Sequence, residues 1–278
     1  MREVLTVIQT VQIKVIKAFY NKAVKGGMHP LDALNTIMKV FYGITFKGRL
    51  EKLFTVENVK TVKGQKKGFL TGIIYLAPSN MSGVNVCAMA EKAGCKNPCL
   101  FTSGKGRYSN VQLSRLRKTL YYLLNPVGFY AMADKDMARL KRKAAKLDFT
   151  LALRFNGTSD VAWYKTPMFE QAIKHDAIVY DYTKVVRHIA EAPKGYHYTL
   201  SYSESTPYYA NMVKDAMLEY PTINVAVVFR NGLPETFLGR KVIDGDETDL
   251  RFLDETGVVV GLSAKGRAKK DKSGFVID

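Results

Sequence analysis

The sequence of 278 residues predicts an α/β fold, a partial or full β/α barrel of parallel strands with an N-terminal helical cap. Three observations predict it. Six short runs rich in β-branched and aromatic residues alternate with helical stretches. Those runs are apolar on both faces, as parallel strands covered on both sides are. No G-x-G-x-x-G follows the first run and no Walker loop is present, so the signatures of a doubly wound nucleotide-binding sheet are missing.

Residues 2–25 carry Val4, Leu5, Ile8, Val11, Ile13, Val15, Ile16, Phe19 and Tyr20 at roughly helical spacing, stopped by Gly26-Gly27. Pro30 opens a second helix, PLDALNTIMKVFYG, ended by Gly43. A basic segment from Lys47 to Lys67 follows, with VENVKTVKGQKKG as a turn or hairpin. Residues 1–67 form the cap, and residues 68–278 form the barrel-like domain. Its strands are FLTGIIYLA (69–77), FTLALRF (149–155), AIVYDY (177–182), YHYTLSY (196–202), INVAVVF (223–229) and GVVVGL (257–262). VQLSRLRKTLYYLL and DKDMARLKRKAAKL fill the first gap; TPMFEQAIKH, TKVVRHIAE and PYYANMVKDAMLE fill later ones. The tail, SAKGRAKKDKSGFVID, is basic and then apolar, and its end is expected to pack back as an edge strand.

Hydrophobic residues make up 47% of the chain, enough to fold a large core. No apolar run reaches ~18 residues, and the N-terminus lacks the pattern of a signal peptide, so a cytoplasmic protein is expected. The net charge of +17 is uneven: +9 over residues 1–67, −1 over 68–91, +11 over 92–154 and −2 over 155–278. A basic half beside a near-neutral half is what a polyanion-binding surface needs, so a nucleic acid or nucleotide is the expected partner.

All three cysteines, Cys87, Cys95 and Cys99, lie on the loop after the first strand, spaced C-x7-C-x3-C. In a reducing compartment they are free thiols or metal ligands. A structural zinc wants four ligands. A [4Fe–4S] cluster on three thiolates keeps one iron open for a substrate or cofactor. Packing of small apolar side chains is the third reading. GKGRY then offers Lys105 and Arg107, with Arg115 and Lys118 on the next helix, to a phosphate or nucleic acid.

Chemistry in such a fold sits at the carboxyl ends of the strands. After the second strand come Asn156, Gly157, Thr158, Ser159 and Asp160, either a ligand-binding loop or a helix cap. Asp181, Lys184 and Glu204 end later strands and, with Asp160, are the candidates for acid–base work. Ser203 sits on the same rim. Trp163 is a pocket wall or a core residue. His197 reads as a core histidine, and DGDETD as a solvated acidic loop.

The runs NVCAMAEKAGCKNPCLFTSGKGRY, RFNGTSD, VIDGDETDLRFLD and VVVGLSAKGRAKKDKSGFVID resemble the phage "gene product 88" family, over roughly residues 68–278. That resemblance implies a phage or prophage origin. A looser likeness is to radical SAM enzymes, which carry a three-cysteine cluster loop after the first strand of a partial β/α barrel. Their usual spacing is C-x3-C-x2-C. The likeness implies a [4Fe–4S] cluster on the cysteines and S-adenosylmethionine held by Asn156, Gly157, Thr158, Ser159 and Ser203. It also places the adenine against GVVVGLSAKG, with Gly261, Ser263 and Lys265. The function it implies is a radical-SAM-like enzyme acting on nucleic acid or a nucleotide. The alternative is a non-enzymatic nucleic-acid-binding or host-interaction protein with structural zinc or no metal.

Overall fold

The computed structural model describes residues 13–56 and 59–278. The first turns of the predicted N-terminal helix lie outside the described residues. Its remainder is α1, Ile13–Lys25, and α2 spans Pro30–Tyr42. Pro30 occupies the first turn, where its missing N–H costs nothing, and Gly43 closes the helix at φ 66°. The two helices bury Ile16, Tyr20, Leu34, Ile37 and Met38. These side chains belong to the same apolar cluster as Leu70, Ile74, Leu151 and Leu153 of the sheet.

Strand β1, Phe54–Thr55, pairs antiparallel with β2, Phe69–Ile74. Between them the expected turn is instead a short helix, α3, Val59–Gln65. No Pro, Asn or Asp interrupts that run. Gly68, at φ 77°, makes the turn that follows.

Beyond β2 the strands are β3 (Thr150–Arg154), β4 (Ile178–Thr183), β5 (Tyr196–Ser201), β6 (Asn224–Phe229), β7 (Thr236–Phe237), β8 (Arg240–Asp244), β9 (Val259–Ser263) and β10 (Val276–Ile277). The helices between them are α4 (Ser109–Leu124), α5 (Pro126–Lys146), α6 (Pro167–Lys174), α7 (Val186–Glu191) and α8 (Pro207–Glu219). One largely parallel sheet of 10 strands results, in the order β1-β2-β3-β4-β5-β6-β9-β8-β7. The fold is mixed α/β, as predicted. From β2 to β6 each strand lies beside the next in the chain, which is the order of a β/α-barrel wall. A doubly wound sheet reverses its order at a switch point. Among the described residues no hydrogen-bonded pair joins the two ends of the sheet.

The helices cover one face. Leu151, Leu153, Val179, Leu200, Val225 and Val227 point toward them and are fully buried. The other face is filled by the chain itself. After β8, residues 245–258 cross over to the parallel strand β9. On that path Leu250 packs with Ala152 and Tyr180, and Phe252 packs against them and near Phe69. The DGDETD run ends β8 and starts this crossover, and it is only partly the solvated loop expected: Asp244 and Glu247 are exposed, but the other two carboxylates are engaged. Asp249 is buried, and Asp246 accepts hydrogen bonds from Ser263 N and Lys265.

The β7–β8 hairpin has no counterpart in the prediction. Its two-residue turn, Leu238-Gly239, has positive φ at both positions, 51° and 72°, as a type I′ turn requires. Leucine there gives no turn signal. The tail does pack back, but on an interior strand. β10 pairs parallel with β6 at Val228 and Phe229, just beyond the point where β5 leaves off at Ala226. Among the described residues no helix is long and apolar enough to cross a membrane.

Candidate functional site

At the carboxyl ends of the strands lies a cavity of about 140 Å³, lined by all three cysteines and by residues 156–160. Two parts of the sequence that follow different strands thus meet, as the fold predicts. Backbone contacts hold them together. Asp160 N donates to Val86 O at 2.8 Å, and the Cys87 thiol faces Thr158 O at 3.7 Å. Ser79 N donates to Cys87 Sγ at 3.3 Å. Cys95 packs against Ala264, Ala268, Phe275 and Val276 of the tail. The cysteine loop is clamped by the segment that follows β5. Ser203 Oγ donates to Ala93 O at 2.9 Å, and Ser205 Oγ and Thr206 Oγ1 both donate to Lys92 O. Gly94, at φ 65°, lets the loop pass so close that a Cβ would lie 2.5 Å from Ser205 Cβ.

No disulfide joins the cysteines. Burial pushes the Cys87 thiol up to about 12, and raises Cys95 and Cys99 as well. The three are close enough to interact electrostatically, and so is Lys184, whose side chain enters the same cavity. Burial works against the Lys184 ammonium, but Cys95, Asp160, Cys99 and Cys87, when ionised, outweigh it, and its pKa is raised. Asp160 is fixed from two sides: Thr183 Oγ1 donates to one oxygen and Lys184 N to the other, both at 2.8 Å. Among the described residues no three His, Cys, Asp or Glu side chains converge so as to hold one metal ion.

Arg154, which lines the cavity, is held in a buried ion pair. Arg154 Nη1 donates to both Asp249 oxygens, at 2.9 and 3.1 Å. The guanidinium lies 4.6 Å from the centre of the Tyr182 ring. Burial opposes the charge on Arg154, and Asp249 more than restores it.

A sequence profile of the family described as "Gene product 88" matches residues 51–278, more than three quarters of the chain. The chain belongs to the gene product 88 family. The match begins ahead of β1 and takes in every strand described above. No curated protein and no solved structure matches the chain. The roles of this family member's residues therefore rest on its own geometry.

Cys87, Cys95, Cys99, Asn156, Gly157, Thr158, Ser159, Asp160 and Lys184 line the cavity. Other predicted residues stand elsewhere. Asp181 is fully buried behind the loop, where it accepts from Asn156 N at 2.7 Å, Asn156 Nδ2 at 3.2 Å and Tyr196 OH at 2.7 Å. Asn156 lines the cavity but its amide is spent. Its oxygen takes Ser159 Oγ, Val161 N and Trp163 Nε1, so it shapes the loop. Trp163 is a core residue stacked on Phe129. Ser203 holds the cysteine loop, and Glu204 is exposed and takes Tyr202 OH. Gly261 faces Leu233 and Val242 on the helix side of the sheet. Ser263 and Lys265 are bound to Asp246.

Lys118 is not a surface cation. It is buried, donates to Leu53 O at 2.7 Å, and burial lowers its pKa to about 8. Arg115 is partly buried over the Tyr75 ring, while Lys105 and Arg107 are exposed. His197 is exposed rather than a core residue. Among the cavity residues that the sequence reading did not single out are Arg154 and Phe275. A charge inside the apolar run LALRF was the available signal for Arg154.

Asp181 gives a pH signature. Burial raises its pKa from 3.8 to about 7. The folded state therefore keeps a proton that the unfolded chain releases, so this group favours folding below about pH 4 and loses that contribution as pH rises through 7. Asn cannot ionise and mimics the neutral acid, so between pH 4 and 8 the thermal midpoint of the wild type is expected to fall relative to that of Asp181→Asn as pH rises. A difference independent of pH would contradict the assignment.

Proposed function

We propose that this phage protein is a radical-SAM-like iron–sulfur enzyme acting on nucleic acid or a nucleotide in the cytoplasm of the infected cell. The observation that carries the reading is the meeting of three thiols and one ammonium in a cavity at the carboxyl ends of a barrel-ordered parallel sheet. Thiolates are soft ligands suited to iron, and three of them leave one iron of a [4Fe–4S] cluster open. A cube-shaped cluster does not require its sulfurs to meet at a point, whereas one zinc ion draws its ligands within ~4 Å of each other. When bound, the cluster supplies the electron that splits S-adenosylmethionine and yields a carbon radical able to take hydrogen from a substrate.

The chain's own part is to bind and orient. Cys87, Cys95 and Cys99 would hold the iron. Lys184 would offset the negative charge of the thiolates. Asp160, held by Thr183 and the backbone of Lys184, presents a carboxylate to a cationic amine. Tyr182, Val228, Leu262 and Phe275 give the cavity an apolar wall. The protein is expected to form 5′-deoxyadenosine from S-adenosylmethionine under anaerobic conditions with a strong reductant, measured by chromatography. No product from iron-loaded protein would contradict the reading. The exposed cations at the cavity rim favour a second reading, a non-enzymatic nucleic-acid-binding protein. That reading predicts oligonucleotide binding without any such cleavage.

A further inference from the structure

We propose that the mouth of the cysteine cavity is ringed by a collar that binds single-stranded nucleic acid, built from two loops 160 residues apart in sequence. It deepens the reading above by naming the substrate class that the cavity receives. One loop is the pair of 3-10 turns Leu100–Thr102 and Gly104–Arg107. The other is the turn Gly266–Lys270, from the half of the chain whose net charge is slightly negative. The two are in contact. Gly266, at φ 59°, approaches Ser103 so closely that a Cβ would lie 2.9 Å from the serine Cβ. Ala268 and Phe275 anchor the second loop on Cys95, so the collar is fastened to the cysteine loop itself.

Six cations stand exposed here: Lys105, Arg107, Arg267, Lys269, Lys270 and Lys272. None of the six has a carboxylate in an ion pair among the described residues, while the carboxylates nearby are engaged. Asp246 takes Lys265, and Asp278 takes Arg230. Asp271 is buried and accepts from Ser273 Oγ and Val276 N. The charge is therefore open to a polyanion.

Tyr108 decides which polyanion. Its side chain is 51% exposed, and the Arg107 guanidinium lies 5.5 Å from its ring centre. Leu100, 43% exposed, continues the apolar surface into the cavity lining. An exposed ring beside cations is what an unpaired base and its phosphates recognise. A duplex keeps its bases stacked inside and has no face to offer the ring. A strand lying on the collar would bring an unpaired nucleotide to the cavity mouth.

Fluorescence anisotropy with labelled single-stranded DNA and RNA 20-mers, on the full chain with its iron content recorded, tests this. Binding is expected to weaken with salt, with a log–log slope of about −4 for six phosphate contacts. The triple variant Arg267→Gln/Lys269→Gln/Lys270→Gln is expected to cut the slope by about 2. Tyr108→Ala is expected to weaken single strands about tenfold, with little effect on a duplex. The control triple Arg142→Gln/Lys143→Gln/Lys146→Gln removes the same charge from the end of α5, which leads into the opposite end of the sheet, and is expected to leave binding unchanged. Equal losses in both triples, or tighter binding to duplex DNA or to anionic lipid vesicles, would overturn the collar. Protein that takes up no iron on reconstitution yet shows the expected shifts keeps the collar and removes the catalytic reading. Iron-loaded protein that cleaves S-adenosylmethionine but binds no oligonucleotide does the reverse.

Discussion

Asp249→Ala is expected to destabilise the protein by about 3–5 kcal/mol, the usual effect of leaving a buried charge without its partner. Arg154 and Asp249 are exposed by only 7% and 6% at their side chains. Tyr180 OH adds a hydrogen bond to Asp249 at 3.3 Å. With the carboxylate gone, the guanidinium would remain buried beside Tyr182 without its ion-pair partner. The double variant Arg154→Met/Asp249→Leu is expected to recover most of the loss, because both charges are then spared desolvation. Urea unfolding of the three proteins checks this. A single variant within about 1 kcal/mol of wild type would mean that the site tolerates a lone arginine, and that Arg154 is free to meet a ligand.

The pair also shows where sequence reading reached its limit. The six main strands were legible because β-branched, apolar runs buried on both faces admit few alternatives. Their crossover was not. DGDETDLRFLD looks polar, and only the fold reveals that its aspartate is sunk against Arg154 while Leu250 and Phe252 fill the concave face. The site divides in the same way. The cysteine loop and NGTSD follow the ends of neighbouring parallel strands, β2 and β3, so their meeting was implied by topology alone.

Residues inside or just beyond the strands were harder, because alternate side chains face opposite ways. Asp181 points to the helix layer and its neighbour Tyr182 to the cavity. Gly261 faces Val242, and Leu262 lines the cavity. An error of one position selects the wrong face. Lys118 failed for another reason. Its charge suggested a surface, yet it lies inside, satisfied by a backbone carbonyl that no local pattern in the sequence announces.

The second large effect concerns the thiols. Without a metal, burial keeps all three protonated, with Cys87 up at about 12, so the cavity would hold neutral sulfur beside a charged lysine. Iron binding reverses this by displacing the thiol protons, and Lys184 then meets the charge it offsets. Each cysteine is needed, since two thiolates cannot hold a cluster that already lacks its fourth. Cys87→Ala, Cys95→Ala and Cys99→Ala are each expected to retain less than about a tenth of the iron while keeping the fold, since alanine preserves a small apolar contact. Circular dichroism of the apo proteins checks that second part.

The most direct measurement is iron and acid-labile sulfide per chain in anaerobically purified wild type, beside the three variants. The account predicts about four irons and four sulfides, a brown protein, and loss of colour in every variant. One zinc per chain, or a colourless protein that takes up no iron on reconstitution, would contradict it.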